Sequence, residues 1–525
     1  MIVKKPNLII IAFSLLLLLH PAVLAQTLGI TNLLEGNLAG SDSVVLAVTP
    51  MNFPWTATTN AFWLHLSAGN QSGAGSTNVI FSFDTNSGPT RTGTLTIAGQ
   101  TLTVTQAGST YVAAGGTVIA LVSSGLDFPV GVAVDGAGNV YIAGTGNNAI
   151  KEWTVANNTV TTLVSSGLNR LQGVAVDSAD NVYIADSEND AIKEWTASNN
   201  AVTTLVSSGL NRPQGVAVDG AGNIYIADTF DSAVKEWTAT NSNVITLVSS
   251  GLDFPMGVAV DITGNVYVAD TGSSAIKEWT AADNTVTTLV STGLSYLSGV
   301  AVDGSGNVYI ADADNSVIEK WTAASNTLTT LVSSGLNGPS GVAVDGSGNV
   351  YIADTDNNAI KERPYAFVDP TARLESANAG KDALLVLPTT ANLLAPFTPT
   401  SDQSWLAITG ITNGVVSFSF TYNPVSSRAA HITLLGQSIP VTQAGAGVTP
   451  PTLTGVQMLA NGVFQFAFTN TPGATFTVVS TTNLSLPLSN WTVVGNPVEA
   501  PPGMYQFTSQ PTTNDSQIFY SVLSP

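Results

Sequence analysis

The apolar positions of the chain recur with a fixed period. The pentapeptide Gly-Val-Ala-Val-Asp begins six times, and each start lies 42 residues after the last. Within one unit, short runs rich in Val, Ile and Thr alternate with turn residues, and no apolar stripe follows the helical period of 3.6 residues. The six starts are Gly131, Gly173, Gly215, Gly257, Gly299 and Gly341. Each unit is therefore predicted to form four strands, as at 215–219, 224–228, 233–238 and 244–248 in the third.

A unit of four strands cannot bury both of its faces alone. Units of this length pack side by side as the blades of a β-propeller. Residues 117–122 match the fourth strand of a unit but precede the first unit, whereas the sixth unit has three strands before Arg363-Pro364. We therefore predict an all-β protein with a closed six-bladed β-propeller over residues 111–366. The early strand is expected to complete the sixth blade and so hide its open edge.

A second duplication flanks the propeller. Five residues recur 337 positions later, and both copies end in Val-Thr-Gln-Ala-Gly. The pairs are Phe83 and Phe420, Asn86 and Asn423, Arg91 and Arg428, Gly99 and Gly436, Gln106 and Gln443. Alternating strand patterns surround them, so residues 27–108 and 374–446 are predicted to form two small antiparallel β-sandwiches. A further sandwich is predicted over residues 450–525, where Phe464, Phe466 and Phe468 alternate.

These patterns resemble known families. The Gly-Asn-Val-Tyr-Ile-Ala-Asp run at 306–312, following its Gly-Val-Ala-Val-Asp strand, resembles the NHL-repeat propellers. The flanking sandwiches resemble BACON domains, which are suggested to bind carbohydrate or mucin, and the last resembles fibronectin-like or immunoglobulin-like modules. Because NHL propellers include protein-binding, RNA-binding, sensor and lyase members, the resemblance implies the fold more than the function. The family's Asn-His pair lacks its His in every blade, as at Asn147-Asn148 and Asn189-Asp190.

Composition and charge narrow the function classes. The 525 residues carry 35 acidic and 15 basic side chains, a formal charge of −20, and no Cys. No basic stripe is available for phosphates, so nucleic acid is not an expected partner. Lys4 and Lys5 precede an apolar run at 8–19, which predicts a signal peptide over residues 1–25. We therefore expect a secreted, extracellular or periplasmic protein of a bacterial cell envelope, without a transmembrane segment once the signal is removed.

Repeated carboxylates offer one candidate site. Five aspartates end the second strands of their blades, and Gly144 takes the equivalent place in the first: Asp186, Asp228, Asp270, Asp312 and Asp354. A ring of acids near the channel mouth suits Ca²⁺, which is the one cofactor that the sequence leaves possible. Such a site would support a Ca-dependent hydrolase or lyase resembling gluconolactonases or streptogramin lyases. The alternative is that each Asp accepts N–H groups of its own loop. The three His residues lie outside the propeller, which weighs against catalysis.

Variable positions offer a second candidate. The segments that link one blade to the next carry aromatic and cationic residues at one register position: Phe128, Arg170, Arg212, Phe254 and Tyr296. These links should share one face of the ring with the loops after the second strands, where they would suit an extracellular glycan or protein. Alternatively, the aromatics pack between blades. Trp63 and Trp405 of the sandwiches are either sugar platforms or core residues. We favour a non-enzymatic binding or scaffold protein, with the sandwiches as spacers or weak carbohydrate binders.

Overall fold

The computed structural model describes residues 25–50, 52–115, 118–446, 451–459, 463–484, 488, 491–509 and 517–523. The predicted signal peptide, except its last residue, lies outside the described residues. Strands make up nearly all of the regular structure, interrupted by short 3-10 turns at Ala68–Asn70, Ser187–Asn189, Thr229–Asp231, Thr271–Ser273 and Thr355–Asn357. The described residues contain no helix long and apolar enough to cross a membrane.

The repeats form six four-stranded antiparallel sheets, which we number as blades in chain order. Blade 1 has strands Pro129–Val134, Val140–Gly144, Ala149–Thr154 and Thr159–Val164; blade 2 has Val174–Val176, Val182–Asp186, Ala191–Thr196 and Ala201–Val206; blade 3 has Pro213–Val218, Ile224–Asp228, Ala233–Thr238 and Asn243–Val248. Blade 4 has Pro255–Val260, Val266–Asp270, Ala275–Thr280 and Thr285–Val290; blade 5 has Leu297–Val302, Val308–Asp312, Val317–Thr322 and Thr327–Val332; blade 6 has Pro339–Val344, Val350–Asp354, Ala359–Arg363 and, outermost, Ile119–Val122. The all-β propeller prediction is confirmed.

The early strand closes the ring. Ile119–Val122 runs antiparallel to Ala359–Arg363, with Ile119 opposite Glu362 and Ala120 opposite Lys361. At the centre the first strands approach one another so closely that a Cβ on Gly131 would meet the carbonyl oxygen of Gln172 in blade 2. A Cβ on the equivalent glycine of blade 6 would meet the carbonyl of Val130 in blade 1, so the last blade contacts the first. Only glycine fits these approaches.

Apolar side chains fill the space between neighbouring blades. Trp195 of blade 2 packs with Val174 and Val182 of its own blade and with Tyr141 and Ile150 of blade 1. The equivalent tryptophans join the corresponding clusters: Trp153, Trp237, Trp279 and Trp321. The sequence prediction that they pack between blades is confirmed, and each blade buries the face that it could not bury alone.

The flanking segments form pairs of sheets. The first sandwich combines Ala25–Leu28, Gly40–Thr49, Thr77–Phe83 and Leu64–Leu66 with Asn32–Glu35, Gln100–Gln106, Arg91–Ile97, Pro54–Thr59 and Ser72–Ala74. The second combines Arg373–Glu375, Gln437–Gln443, Arg428–Leu434 and Thr400–Ser401 with a sheet of Val112–Ala113, Phe367–Val368, Gly380–Leu387, Val415–Phe420 and Leu406–Thr412. The last segment has a sheet of Thr454–Met458, Phe464–Thr469, Met504–Thr508 and Val498–Glu499, and another of Thr492–Gly495, Thr477–Thr481 and Phe519–Leu523. The immunoglobulin-like assignment of this last segment stays a prediction.

The duplicated residues of the sandwiches form a structural latch. The guanidinium of Arg91 lies 4.4 Å from the ring centre of Trp63, and its Nε donates to Gln106 Oε1 at 2.9 Å. Arg428 repeats both contacts, at 4.3 Å from Trp405 and 2.9 Å from Gln443. The two tryptophans are therefore held inside their own domains by the residues whose spacing revealed the duplication. This geometry favours the core alternative over the sugar platform for Trp63, which is buried.

The propeller has two unlike faces. We call the face formed by the blade-linking segments and the loops after the second strands the link face, and the opposite one, formed by the hairpin turns, the hairpin face. The first sandwich docks on the hairpin face of blade 5, where Val45 N donates to Gly304 O at 3.0 Å and Ser43 Oγ donates to Ser305 O at 2.7 Å. The second sandwich packs against blades 1 and 6 in one shared apolar cluster, which includes Trp153 of blade 1, Tyr351 of blade 6 and Phe418 of the sandwich.

Candidate functional site

The linking residues share an unusual backbone conformation. Each predicted ligand-binding position has a positive φ: Phe128 at 51°, Arg170 at 49°, Arg212 at 48°, Phe254 at 55° and Tyr296 at 51°. Gly338 takes the equivalent place in blade 6, with φ of 56°. This left-handed region is easily reached by Gly but is costly for bulky side chains. Five of six blades therefore keep a large side chain where glycine would be less strained.

Loops of the preceding blade hold these links in place. Phe128 N donates to Asn358 Oδ1 at 2.7 Å, across the closure of the ring, and Arg212 N donates to Asp190 Oδ1 at 2.7 Å. The acceptors occupy the position of the His that the NHL-type Asn-His pair would supply. The links and the loops after the second strands thus lie on one face, as the sequence predicted. Short polar side chains stand where the family has His, and they bind the backbone of the neighbouring link.

A continuous cluster of side chains crosses the link face of blades 2 to 4. Glu188 accepts Arg170 Nη1 at 3.5 Å through Oε1 and Arg212 Nη2 at 3.3 Å through Oε2. The guanidinium of Arg212 lies 5.0 Å from the ring centre of Phe230, and that ring meets Phe254 edge-on at 5.0 Å. We call these five residues the Arg-Phe cluster. Three of them were predicted ligand-binding residues, and the structure brings these three together.

Sequence reasoning missed Phe230 and Glu188 as site residues. Both occupy the same place in their repeats, 42 residues apart, in the loop after the second strand. The other blades have Gly146, Gly272, Asp314 and Asp356 there. The signal was a variable position next to the links, and alignment of the six loops would have found it. Their contacts also depend on how the side chains are oriented across a blade junction, which the repeat period does not fix.

The two remaining linking aromatics lie on the same face outside the Arg-Phe cluster. Phe128 is 47% exposed in blade 1 and Tyr296 is 49% exposed in blade 5. Neither packs between blades, so the alternative of inter-blade aromatics does not describe them. Phe254 is partly buried because it packs against Phe230. The link face thus exposes aromatic rings at three blade junctions.

The five aspartates proposed as metal ligands are engaged within their own blades. Asp186 accepts the N–H of Asn169 at 2.7 Å and pairs with Lys193 at 2.6 Å, and its side chain is fully buried. Asp228, Asp270 and Asp354 likewise pair with the lysine seven residues later. Asp312 accepts Asn315 Nδ2 at 2.9 Å. The local-turn alternative describes this geometry, since a cation would have to displace lysines and backbone donors.

Other carboxylates and the histidines also have local roles. Asp135 Oδ1 accepts the N–H groups of Ala137 and Asn139 at 2.8 and 2.9 Å, and the five equivalent aspartates cap their hairpin turns in the same way. His65 and His431 face solvent on the sandwiches, beside Asp84 and Asp402. Within the part of the chain that the structure describes, no three His, Asp or Glu side chains lie close enough to hold a metal ion.

Comparison with protein families agrees with the architecture. Residues 336–362 match the NHL repeat, and residues 104–150 match a family described as "Beta-propeller repeat". Residues 53–107 match the BACON family, described as "Putative binding domain, N-terminal". Together with the six sheets, these matches define an all-β propeller protein with NHL repeats and a BACON domain. No curated protein sequence matches the chain.

Solved structures similar to the chain are propeller proteins of several kinds. A structural genomics protein of unknown function from Bacteroides thetaiotaomicron is 16% identical with a TM-score of 0.44, and the match covers 65% of this chain and 97% of that one. A streptogramin B lyase is 12% identical with a TM-score of 0.38, covering 48% and 97%. Regucalcin from Agrobacterium tumefaciens, a calcium-binding protein, is 14% identical with a TM-score of 0.40, covering 47% and 92%. Similarity at this level says nothing about activity.

Proposed function

We propose that this is a secreted, non-enzymatic binding or scaffold protein that recognises an extracellular glycan or protein through the link face. The sandwiches act as spacers or as weak carbohydrate binders that add avidity. The observation that carries the proposal is the left-handed backbone at Phe128, Arg170, Arg212, Phe254 and Tyr296. Strain of this kind costs on the order of 1 kcal/mol for each residue and clusters at functional sites.

The position of the first sandwich supports the same face. The first sandwich covers the hairpin turn of blade 5 at Gly304 and Ser305, on the side away from the links. The exposed aromatic and cationic side chains of the links therefore stay accessible to a partner. A ligand bound there would also span several blades, which is how a ring of unlike loops gains specificity.

The alternative of a Ca-dependent hydrolase or lyase has less support. Its candidate ligands, such as Asp186 and Asp228, form buried ion pairs with Lys193 and Lys235. Separating a buried carboxylate from its lysine costs several kcal/mol, which cation binding would have to exceed. The lyases that this propeller resembles use His, and the three His residues of this chain lie outside the propeller.

Replacement of strained aromatics by glycine tests the proposal. The purified protein is applied to a glycan array and to peptide and protein pull-downs, with and without EDTA. We expect EDTA-insensitive binding that Tyr296→Gly weakens, while the variant is as stable as the parent or more stable because glycine relieves the positive φ. Ile262→Ala, at an exposed hairpin turn, is the matched control. Absence of binding, together with hydrolytic or lyase turnover that EDTA abolishes, would refute the proposal.

A further inference from the structure

We propose that the Arg-Phe cluster binds an uncharged glycan, with a sugar ring packed on Phe230 and its hydroxyl groups bonded by Arg212 and Glu188. This inference rests on the proposed function of the link face and adds the class of ligand. It is carried by the combination of an oriented aromatic ring, paired donors and acceptors, and balanced charge within one group of side chains.

The aromatic part of the cluster is held in place and remains accessible. Phe230 is 46% exposed although Phe254 contacts it edge-on and Arg212 lies over its ring. The cation–π contact and the edge contact fix the ring before any ligand arrives, which lowers the entropy lost on binding. Sugar rings present a face of C–H groups, and an oriented aromatic ring is the surface on which such a face packs.

The polar part of the cluster matches hydroxyl groups. Arg170 and Arg212 contact different oxygens of Glu188, so the carboxylate is fixed between two guanidinium groups. Each guanidinium has five N–H donors, and the carboxylate has about four acceptor sites, so both kinds of group retain capacity. Each sugar hydroxyl can both donate and accept a hydrogen bond. Neighbouring hydroxyls therefore suit a surface on which guanidinium donors and carboxylate acceptors lie side by side.

Charge favours an uncharged ligand. Glu188 forms ion pairs with both Arg170 and Arg212, and a second carboxylate, Asp190, accepts the backbone N–H of Arg212, so two acids accompany the two arginines. The whole chain carries a formal charge of −20, so an acidic polysaccharide would approach against a repulsive field. A cationic ligand would meet the two arginines. A neutral sugar chain avoids both penalties.

The backbone geometry favours a glycan over a peptide. Extended peptides gain affinity by adding a strand to an open sheet edge. The strands of the propeller end at the link face, so their exposed edges lie on the outermost strands, such as Asn243–Val248, and not beside Phe230. The Arg-Phe cluster offers side chains only, which is the mode in which sugars are recognised.

A glycan array with neutral and acidic oligosaccharides tests this inference on the purified protein. We expect binding to neutral glycans, with a Kd that changes less than about 2-fold between low and moderate salt because no net charge is neutralised. Phe230→Ala should weaken binding about 10-fold or more, and Arg212→Lys, which keeps the charge but loses the planar donors, should also weaken it. Ile245→Ala is the control, since Ile245 is 48% exposed on the outer strand of the same blade.

The outcomes separate this inference from the broader proposal. Binding limited to acidic glycans or to peptides, or neutral-glycan binding that Tyr296→Gly weakens but Phe230→Ala and Arg212→Lys leave unchanged, would overturn the inference and keep the link face as the binding site. Binding that none of these link-face variants changes would overturn both. Loss of neutral-glycan binding in Phe230→Ala and Arg212→Lys, with Ile245→Ala unaffected, would support the inference.

Discussion

A single buried carboxylate shows how the blades tolerate charge. The side chain of Asp228 is fully buried, accepts Asn211 N–H at 2.7 Å and forms an ion pair with Lys235. Burial raises the pKa of Asp228, and the lysine and backbone donors oppose that rise. In blade 5 Glu319 takes the place of the lysine, opposite Ile310 on the strand that ends at Asp312. The same aspartate therefore stands in two different electrostatic settings.

Removing this carboxylate should cost more in blade 3 than in blade 5. Asp228→Ala leaves the largely buried Lys235 with only the more exposed Asp231 as its ion-pair partner, and it is expected to lower the free energy of unfolding by about 3 kcal/mol. Asp312→Ala leaves only hydrogen-bond donors unsatisfied and should cost about 1–3 kcal/mol. Urea unfolding followed by the fluorescence of the inter-blade tryptophans measures both. Equal losses in the two variants would show that the ion pair between Asp228 and Lys235 adds nothing to the stability of the blade.

At the scale of one element, the strand Ile119–Val122 decides whether the repeats form a ring or an open array. It supplies the outer position of blade 6, opposite Ala359–Arg363. Without it, blade 6 would present an unpaired edge, and only the packing between the two blades would hold the first blade against the last. In the chain, this closing strand lies between the first sandwich and blade 1, so it connects the two.

Engineered cysteines test this closure on a clean background, since the chain has no Cys. Ala120 and Lys361 are opposite each other in the antiparallel register, at the separation that a disulfide requires. We expect Ala120→Cys with Lys361→Cys to form an intramolecular disulfide on mild oxidation, detected by peptide mass spectrometry. Ala120→Cys with Lys193→Cys, the equivalent place in blade 2, should not cross-link. Cross-linking of the second pair, or of neither, would place the strand elsewhere.

The repeat made strands of this kind predictable from the sequence. The side-chain contacts between blades and between domains could not be predicted in this way. A period of 42 residues fixed which positions share a face, so Phe128, Arg170 and Tyr296 were assigned correctly to the link face. The contact between Phe230 and Arg212 depends on side-chain orientation across a blade junction, which periodicity does not encode. The carboxyls of the first sandwich that Lys320 of blade 5 faces, Glu35 and Asp42, were equally hidden. Blade 5 has Glu319-Lys320 where the other blades have Lys followed by Glu. This reversal is visible in the sequence, but only the docked sandwich explains it.

At the scale of the whole molecule, that reversal explains where the first sandwich docks. Lys320 occupies the place that Glu152, Glu194, Glu236, Glu278 and Glu362 hold in the other blades. It lies 5.1 Å from the ring centre of Tyr309 and faces the partly buried carboxyls Glu35 and Asp42 of the sandwich. A glutamate there would add a third acid to this contact. The lysine therefore marks blade 5 as the docking position.

Burial at this contact raises the pKa of Glu35 well above its usual range, and Asp42 raises it further. Lys320 opposes the rise, while Asp303, Tyr309, Tyr365 and Arg363 complete the surrounding titratable groups. The docked state therefore keeps a proton that the undocked sandwich releases near the ordinary pKa. Between these two pKa values, each rise in pH weakens docking, and below the ordinary value this group has no effect.

Exchange of one charge in blade 5 should release the first sandwich. Lys320→Glu places a third carboxylate beside Glu35 and Asp42, so we expect faster amide hydrogen exchange over residues 40–49, where Val45 N–H bonds to Gly304 O. After division by the intrinsic, base-catalysed exchange rate at each pH, the protection of the parent should fall toward that of Lys320→Glu only as pH rises above the ordinary pKa of glutamate. Glu35→Gln should remove this pH dependence of protection because it cannot ionise. Glu236→Lys makes the matching change in blade 3, where no sandwich docks among the described residues, and should leave exchange at 40–49 unchanged. Parent-like exchange in Lys320→Glu would mean that the backbone bonds alone hold the sandwich, and that the reversed pair in blade 5 has no part in its docking.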